Sequence, residues 1–178
     1  TGGFVGMVTL WNRNGQVVTT LKGEADHISS IKLTSNGQRL LVNTGEGKVK
    51  LWDLKNQLLS DLKTPIDTVG SIAFSPDGQQ ILLGGNYDDG QLVLTDLQGQ
   101  TQQRFAAHDY TINEVHFSPN GERLASVSWD RTAKVWNSSG QLLYTLKDEE
   151  KELSSLAFSP DGQTLLTGAS DGTAQLWN

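Results

Sequence analysis

TGASDGTAQLWN, residues 167–178, closes the chain, and TGGFVGMVTLWN, residues 1–12, opens it; six of the twelve positions are identical, LWN included. The phrase recurs between the two ends. LWN ends at 12, LWD at 53, LTD at 96, VWN at 137 and LWN at 178, spaced by 41, 43, 41 and 41 residues. A second marker keeps the same time. TSNG falls at 34–37, SPDG at 75–78, SPNG at 118–121 and SPDG at 159–162, spaced by 41, 43 and 41. Two independent markers with one period define an internal repeat, and a repeat read first decides the fold. The interval of 43 carries two extra residues in NYDDGQ, 86–91, a lengthened turn.

Each unit divides into four short strands. The first is apolar: IKL ending at Leu33, SIAF at 71–74, EVHF at 114–117 and SLAF at 155–158. A turn with Asp or Asn before Gly follows, which suits a hairpin. The second strand is RLLVN, ILLGG, RLASV or TLLTG, and the third alternates, as in KVKLW and TAKVW. A period of two gives each third strand one buried and one outward face. After a short Asn/Gly turn comes the fourth: QVVTTL, QLLSDL, QTQQRF or QLLYTL. No segment carries a helical period with caps.

A sheet of this size cannot bury both faces alone. Repeated sheets must stack, and radial stacking gives a β-propeller. The expected fold is all-β, about four blades of four antiparallel strands. The expected division of 1–178 is a partial blade 1–21, repeats at 22–62, 63–105 and 106–146, and an incomplete blade 147–178. Trp11, Trp52, Trp136 and Trp177 share one slot in the third strand and are expected to fill the space between blades. Thr95 takes that slot in the remaining unit.

Composition narrows the function. Net charge is −6, with 14 basic residues scattered among 20 acidic ones. Nucleic-acid binding needs a basic stripe to displace phosphate counterions, and none is present. Without Cys there is neither disulfide nor thiolate metal site, which fits a reducing compartment, and a cytoplasmic location is expected. No apolar run approaches the ~18 residues that span a bilayer, so no membrane partner is expected. The first residue is Thr, so the chain is read as a processed or excised piece.

SPDG, then S-x-D-x-T, then W-N or W-D at constant offsets resembles the WD40 (WD-repeat) family over the whole length. The wording SPDGQ, LWN, GQLL is also similar to WD-repeat arrays of bacterial signalling proteins. The resemblance implies a structural hydrogen-bond network: a His before the first strand, a hydroxyl on the second, an Asp before the third, and the Trp. Carried over, these are His108, Ser126 (Ser128 as the alternative), Asp130 and Trp136. The other units are incomplete. Their His slots hold Glu24, Pro65 and Glu149, and their Asp slots hold Glu46, Asp89 and Asp171. A buried polar network is worth having only when every member is satisfied. The 108–137 blade is therefore expected to be the most rigid, and the blade ending at Thr95 looser.

The resemblance also implies a partner-binding face, formed by the loops before the first strands and the turns before the third. By register these positions are His27, Ser29 and Gly45; Thr68, Gly70 and Asp88; Thr111, Asn113 and Trp129; Glu152, Ser154 and Ser170. Trp129 stands out, because Trp at a turn tip is either a binding hot spot or packed on a neighbouring blade. Other motifs read blandly. His108, Ser126 and Asp130 have the residue types of a hydrolase triad, without an oxyanion hole or nucleophile elbow. NTGEGKVK at 43–50 lacks phosphate-loop spacing and a following helix. The D-G pairs are hairpin turns rather than calcium loops, although the adjacent Asp88 and Asp89 offer an adventitious cation site. His27, His108 and His116 have no metal-ligand spacing, and His116 is expected to be packed or to face the channel. The acidic run Asp148, Glu149, Glu150 and Glu152 is expected to be a solvated loop able to steer a basic partner.

The expectation is a non-catalytic scaffold that presents its top face to protein or peptide partners, without cofactor or metal. It is compatible with a sensory or regulatory part of a larger bacterial signalling protein. The alternative is an enzyme, a hydrolase or lyase, on a propeller fold. The repeat arithmetic leaves three arrangements open: a piece of a longer propeller, a ring completed by self-association with a second copy, or four blades standing alone.

Overall fold

The SPDG phrase builds its own turn. Ser75 Oγ donates to Asp77 Oδ1 and accepts from Gln80 N at 2.9 Å, while Gly78 N donates to Ser75 O at 2.8 Å. Gly78 sits at φ +67°, in the left-handed region that glycine enters without a Cβ penalty. The same bonds recur at Thr34, Asn36 and Gly37, at Ser118, Asn120 and Gly121, and at Ser159, Asp161 and Gly162. The Ser75 hydroxyl bond also holds the Asp77 carboxyl below its ordinary value. Asn serves as well as Asp here because either side chain can accept from the backbone two residues on.

The computed structural model describes residues 6–22, 27–55, 58–87, 89–147 and 151–178. It is all-β, with five antiparallel sheets in chain order. The first is the hairpin of β1 (Met7–Trp11) and β2 (Val17–Lys22). Next come β3 (Ile28–Leu33), β4 (Arg39–Thr44), β5 (Val49–Asp53) and β6 (Leu58–Asp61). The third sheet holds β7 (Val69–Phe74), β8 (Gln80–Gly85), β9 (Gln91–Asp96) and β10 (Thr101–Ala106). The fourth holds β11 (Ile112–Phe117), β12 (Arg123–Ser128), β13 (Thr132–Asn137) and β14 (Leu142–Lys147). The last has three strands, β15 (Leu153–Phe158), β16 (Leu165–Ala169) and β17 (Ala174–Trp177). Each is a meander, so strand order in space follows strand order in sequence.

The core lies between the sheets. Val8 and Leu21 pack on Leu40, Val42 and Trp52; Leu41 and Val49 on Val69, Ile72 and Ile81. Leu82, Leu92 and Leu94 pack on Ile112, Val115, Leu124 and Trp136; Ala125, Ala133 and Val135 on Leu153, Leu156 and Leu165. The first strands β3, β7, β11 and β15 run side by side around an axis. Lys32 on β3 approaches Glu114 on β11 at 3.8 Å across it. Glu114 also accepts from Leu156 N at 2.9 Å and meets His116 Nε2 at 3.0 Å, so three blades share one carboxylate. Burial opposes ionisation of Glu114, but the His116 and Leu156 hydrogen bonds and the nearby Lys32 outweigh it and lower its pKa. This radial stack of four blades is a β-propeller arrangement.

Two expectations change. Trp52 and Trp136 fill inter-blade space and Trp177 is half-buried in its interface, but Trp11 is 52% exposed. Its slot faces away from the β3–β6 sheet, so no described sheet covers it. The blade ending at Thr95 is not loosely packed: Ile72, Ile81, Leu82, Leu83, Leu92 and Val93 are fully buried. It lies between two complete blades, and both of its faces are covered.

Candidate functional site

The blade with the full motif, β11–β14, gathers the polar residues of the repeat. His108 precedes β11, Ser126 points from β12, and Asp130 lies in the turn before β13. His108 Nδ1 is 2.8 Å from Asp130 Oδ2 and its Nε2 is 2.6 Å from Ser126 Oγ. Thr132, a member that the residue-by-residue reading left out, donates to Asp130 Oδ1 from both its hydroxyl (2.6 Å) and its N–H (2.9 Å). Burial works against the Asp130 anion, yet the His108 and Thr132 hydrogen bonds prevail and hold the carboxyl well below the usual range. Trp136 joins through its ring, edge-on to His108 at 6.1 Å between centroids and tilted against Phe105 at 5.5 Å. Ser128 stands apart from the set: its hydroxyl donates to Tyr110 O at 3.3 Å and accepts from Asp130 N at 3.1 Å.

These distances have the order of a nucleophile, base and carboxylate. Ser126 is fully buried, however, so its Oγ is not presented to a substrate. What the arrangement does is anchor the turn before β13 to the loop before β11.

The other units hold parts of the set. In the β15–β17 sheet, Asp171 accepts from the Thr173 hydroxyl and N–H, and Lys151 pairs with it at 3.2 Å. Those two Thr173 bonds, with Lys151 adding a smaller share, bring the Asp171 pKa down to about 2. Trp177 Nε1 donates to Thr167 Oγ1 at 2.9 Å. In the β7–β10 sheet the Thr95 hydroxyl is buried without a partner among the described residues. Among the described residues Glu46 makes only an exposed pair with Lys48, at 2.8 Å. Glu24, Glu149, Asp88 and the run 148–150 lie outside the described residues. Among the described residues no group of three or more His, Cys, Asp or Glu side chains is placed to hold a metal ion.

In a meander, the start of each first strand and the second-to-third turn share one end of the blade. At that end every first strand is bulged, between Ile28 and Ser30, Val69 and Ser71, Ile112 and Glu114, and Leu153 and Ser155. The bulged positions are Ser29, Gly70, Asn113 and Ser154, and bulges re-aim the side chain they carry. Their side chains are partly engaged. Ser29 and Ser154 bond to carbonyls of their own second strands, Asn43 O at 3.0 Å and Gly168 O at 3.3 Å. Asn113 spends its amide on Leu153 O of the next blade, at 2.7 Å. Thr111 corrects the expectation of an open face, because it is buried and its hydroxyl donates to Tyr87 O at 2.8 Å. Thr68 is half-buried against Gly47, and His27 lies directly over Gly45, where any Cβ would collide with its ring. Glu152, Ser170 and Trp129 are exposed.

Trp129 is 53% exposed and belongs to none of the hydrophobic clusters between the sheets. Its N–H is bonded to Thr111 O, which fixes the turn beside the 109–110 loop. Together with Asp109, Tyr110, Asp130, Arg131 and Glu152 it lines an open depression of about 620 Å³. Tyr110 is 54% exposed. Sequence reading missed Tyr110, Asp109 and Arg131. The available signal was an aromatic two residues after the His slot, in a loop with no apolar periodicity to claim it for a core. Arg131 holds φ at +69°, where the matching positions of two other blades are Gly47 and Gly172.

No curated protein matches the chain. The family described as WD domain, G-beta repeat matches residues 15–53, 56–96, 99–137 and 140–178. Each matched repeat runs from the fourth strand of one sheet through the third strand of the next, so repeat and sheet boundaries are offset by one strand. With four matches over most of its length, and with the propeller sheets they predict, the chain belongs to the WD40 family.

Proposed function

We propose that the chain is a non-catalytic interaction scaffold that docks protein or peptide partners on the end carrying the loops before the first strands. WD40 propellers commonly mediate protein–protein contacts, and the family is generally non-catalytic. The observation that carries the reading is Trp129, an indole left in solvent on a turn that the buried His108–Asp130 pair holds rigid. Exposed Trp on a preorganised turn is the composition of a binding hot spot. The wording SPDGQ, LWN and GQLL, which resembles bacterial signalling arrays, is compatible with a sensory or regulatory place within a larger protein. Among the described residues no helix is long and apolar enough to cross a membrane.

The test compares Trp129→Ser with wild type in partner capture and in denaturant unfolding. Capture is expected to fall by at least about tenfold, as for a hot-spot residue, while the unfolding midpoint stays in place. A large loss of stability with unchanged capture would mean that Trp129 packs rather than binds.

A second reading, self-association, is favoured by the outer face of the last sheet. Ala157, Leu166 and Leu176 are cross-strand neighbours there, with Leu166 and Leu176 exposed. In the preceding blades the same register positions lie under the next sheet, as Ala73, Leu82 and Leu94 do. At the opposite end of the stack Trp11 occupies the slot that Trp52 and Trp136 use to pack on a preceding sheet. A second copy placed head to tail would bring the two faces together. Sedimentation is expected to give a mass above the 19.4 kDa of one chain, reduced to it by Leu176→Asp. A monomer at high concentration would exclude this reading.

A further inference from the structure

We infer that the depression between the 129–131 turn and the 109–110 loop receives the cationic side chains, Lys or Arg, of a basic segment in a protein partner. The inference rests on the docking-platform reading and assigns the partner's chemistry.

Two features of the depression point to a cation. Trp129 and Tyr110, each about half exposed, both line it, and aromatic ring faces attract Lys and Arg through their quadrupole. Its rim carries Asp109 and Glu152, both exposed. Among the described residues, neither of these carboxylates has a hydrogen-bond or ion-pair partner. The third carboxylate, Asp130, is spent on His108 and Thr132. Arg131 shares the wall, and Lys151, next in sequence to Glu152, is turned to Asp171. The depression therefore sets two carboxylates not already engaged, Asp109 and Glu152, beside one guanidinium, in a chain of net charge −6. Complementary charge both speeds encounter and rejects acidic partners. Aromatic walls are particular to this blade: the Trp129 slot holds Gly45, Asp88 and Ser170 in the others. The turn and the loop are also tied to each other. Trp129 N bonds to Thr111 O at 3.2 Å and Ser128 Oγ to Tyr110 O at 3.3 Å, so turn and loop form one unit.

The test uses three capped twelve-residue peptides, with Arg, Lys or Glu alternating with Gly, titrated into the ¹⁵N-labelled chain. The Trp129 indole N–H is the readout. The Arg and Lys peptides are expected to shift it saturably, more weakly as salt rises, while the Glu peptide leaves it in place. Asp109→Asn with Glu152→Gln is expected to weaken the Arg peptide about tenfold, as truncated interface charges do. The control is Asp77→Asn with Asp161→Asn, which removes the same charge at the opposite ends of blades, where Asn36 and Asn120 already build the same turn. It should leave binding unchanged. Equal weakening by the control would reduce the effect to net charge and overturn the inference. A Glu peptide that shifts Trp129 as strongly as the Arg peptide would overturn it while leaving Trp129 a docking residue. If no peptide moves Trp129, the inference falls, and capture with Trp129→Ser then decides the platform reading separately.

Discussion

Trp136→Ala is expected to lower the free energy of unfolding by about 3–5 kcal/mol, the range for deleting a large buried aromatic. The residue is 4% exposed, and its ring meets Phe105 and His108 within the cluster that holds Leu82, Leu94 and Val115. Its removal takes away apolar burial and opens a cavity between two blades that the flanking strands, tied by hydrogen bonds on both sides, are poorly placed to close. Denaturant unfolding followed by circular dichroism measures it. Trp11→Ala is the internal control, because the same residue in the same slot of the repeat is half in solvent. Little change is expected there in the isolated monomer. Equal losses at both positions would mean that the slot, rather than the burial, sets the energy.

Asp130→Ala is expected to cost about 2–4 kcal/mol, since it strips a buried imidazole and a hydroxyl of a shared anionic acceptor. The Asp130 side chain is 9% exposed and His108 is enclosed completely, so water replaces little of what is lost. Loosening the turn should also displace Trp129 and weaken partner capture, which separates this variant from a purely local defect. The same substitution at Asp171, whose carboxylate stands in solvent, is expected to do little, although both units share D-x-T. The acid dependence follows from the lowered pKa. Asp130 is held below its ordinary value, so its contribution is complete above about pH 4, where the unfolded carboxyl is already ionised. It declines as pH falls from there toward the folded value. Wild type and Asp130→Ala are therefore expected to differ at neutral pH and converge in acid, as measured by unfolding midpoints across roughly pH 2–7.

Strand order, hairpin positions and the four-strand unit are legible in the residues. They follow from TSNG, SPDG and LWN recurring at one period, because turn chemistry and alternation are local. The His108, Ser126 and Asp130 cluster is reachable too, since a motif encodes the register that brings its members together. Thr132 lies within the same motif, and its hydroxyl completes the set. The binding end is harder to read. Thr111 and Asn113 stand at register positions that favour exposure, yet one hydroxyl turns to Tyr87 O and one amide to Leu153 O. Those partners lie 24 and 40 residues away, where no local pattern reaches.

By itself, then, the sequence determined a WD40 repeat: its period, its strands, its turns and the residues of its buried polar set. These depend on backbone geometry within about 41 residues, and that geometry repeats. Only the tertiary structure decided which copies of the repeat are buried. Trp11 and Trp136 are equivalent in register, but one faces solvent and the other faces a neighbouring sheet. Thr95 breaks the motif and still sits in a tightly packed blade, because that blade has a neighbour on each side. Burial is a property of what stacks alongside, and stacking is set between repeats rather than within them.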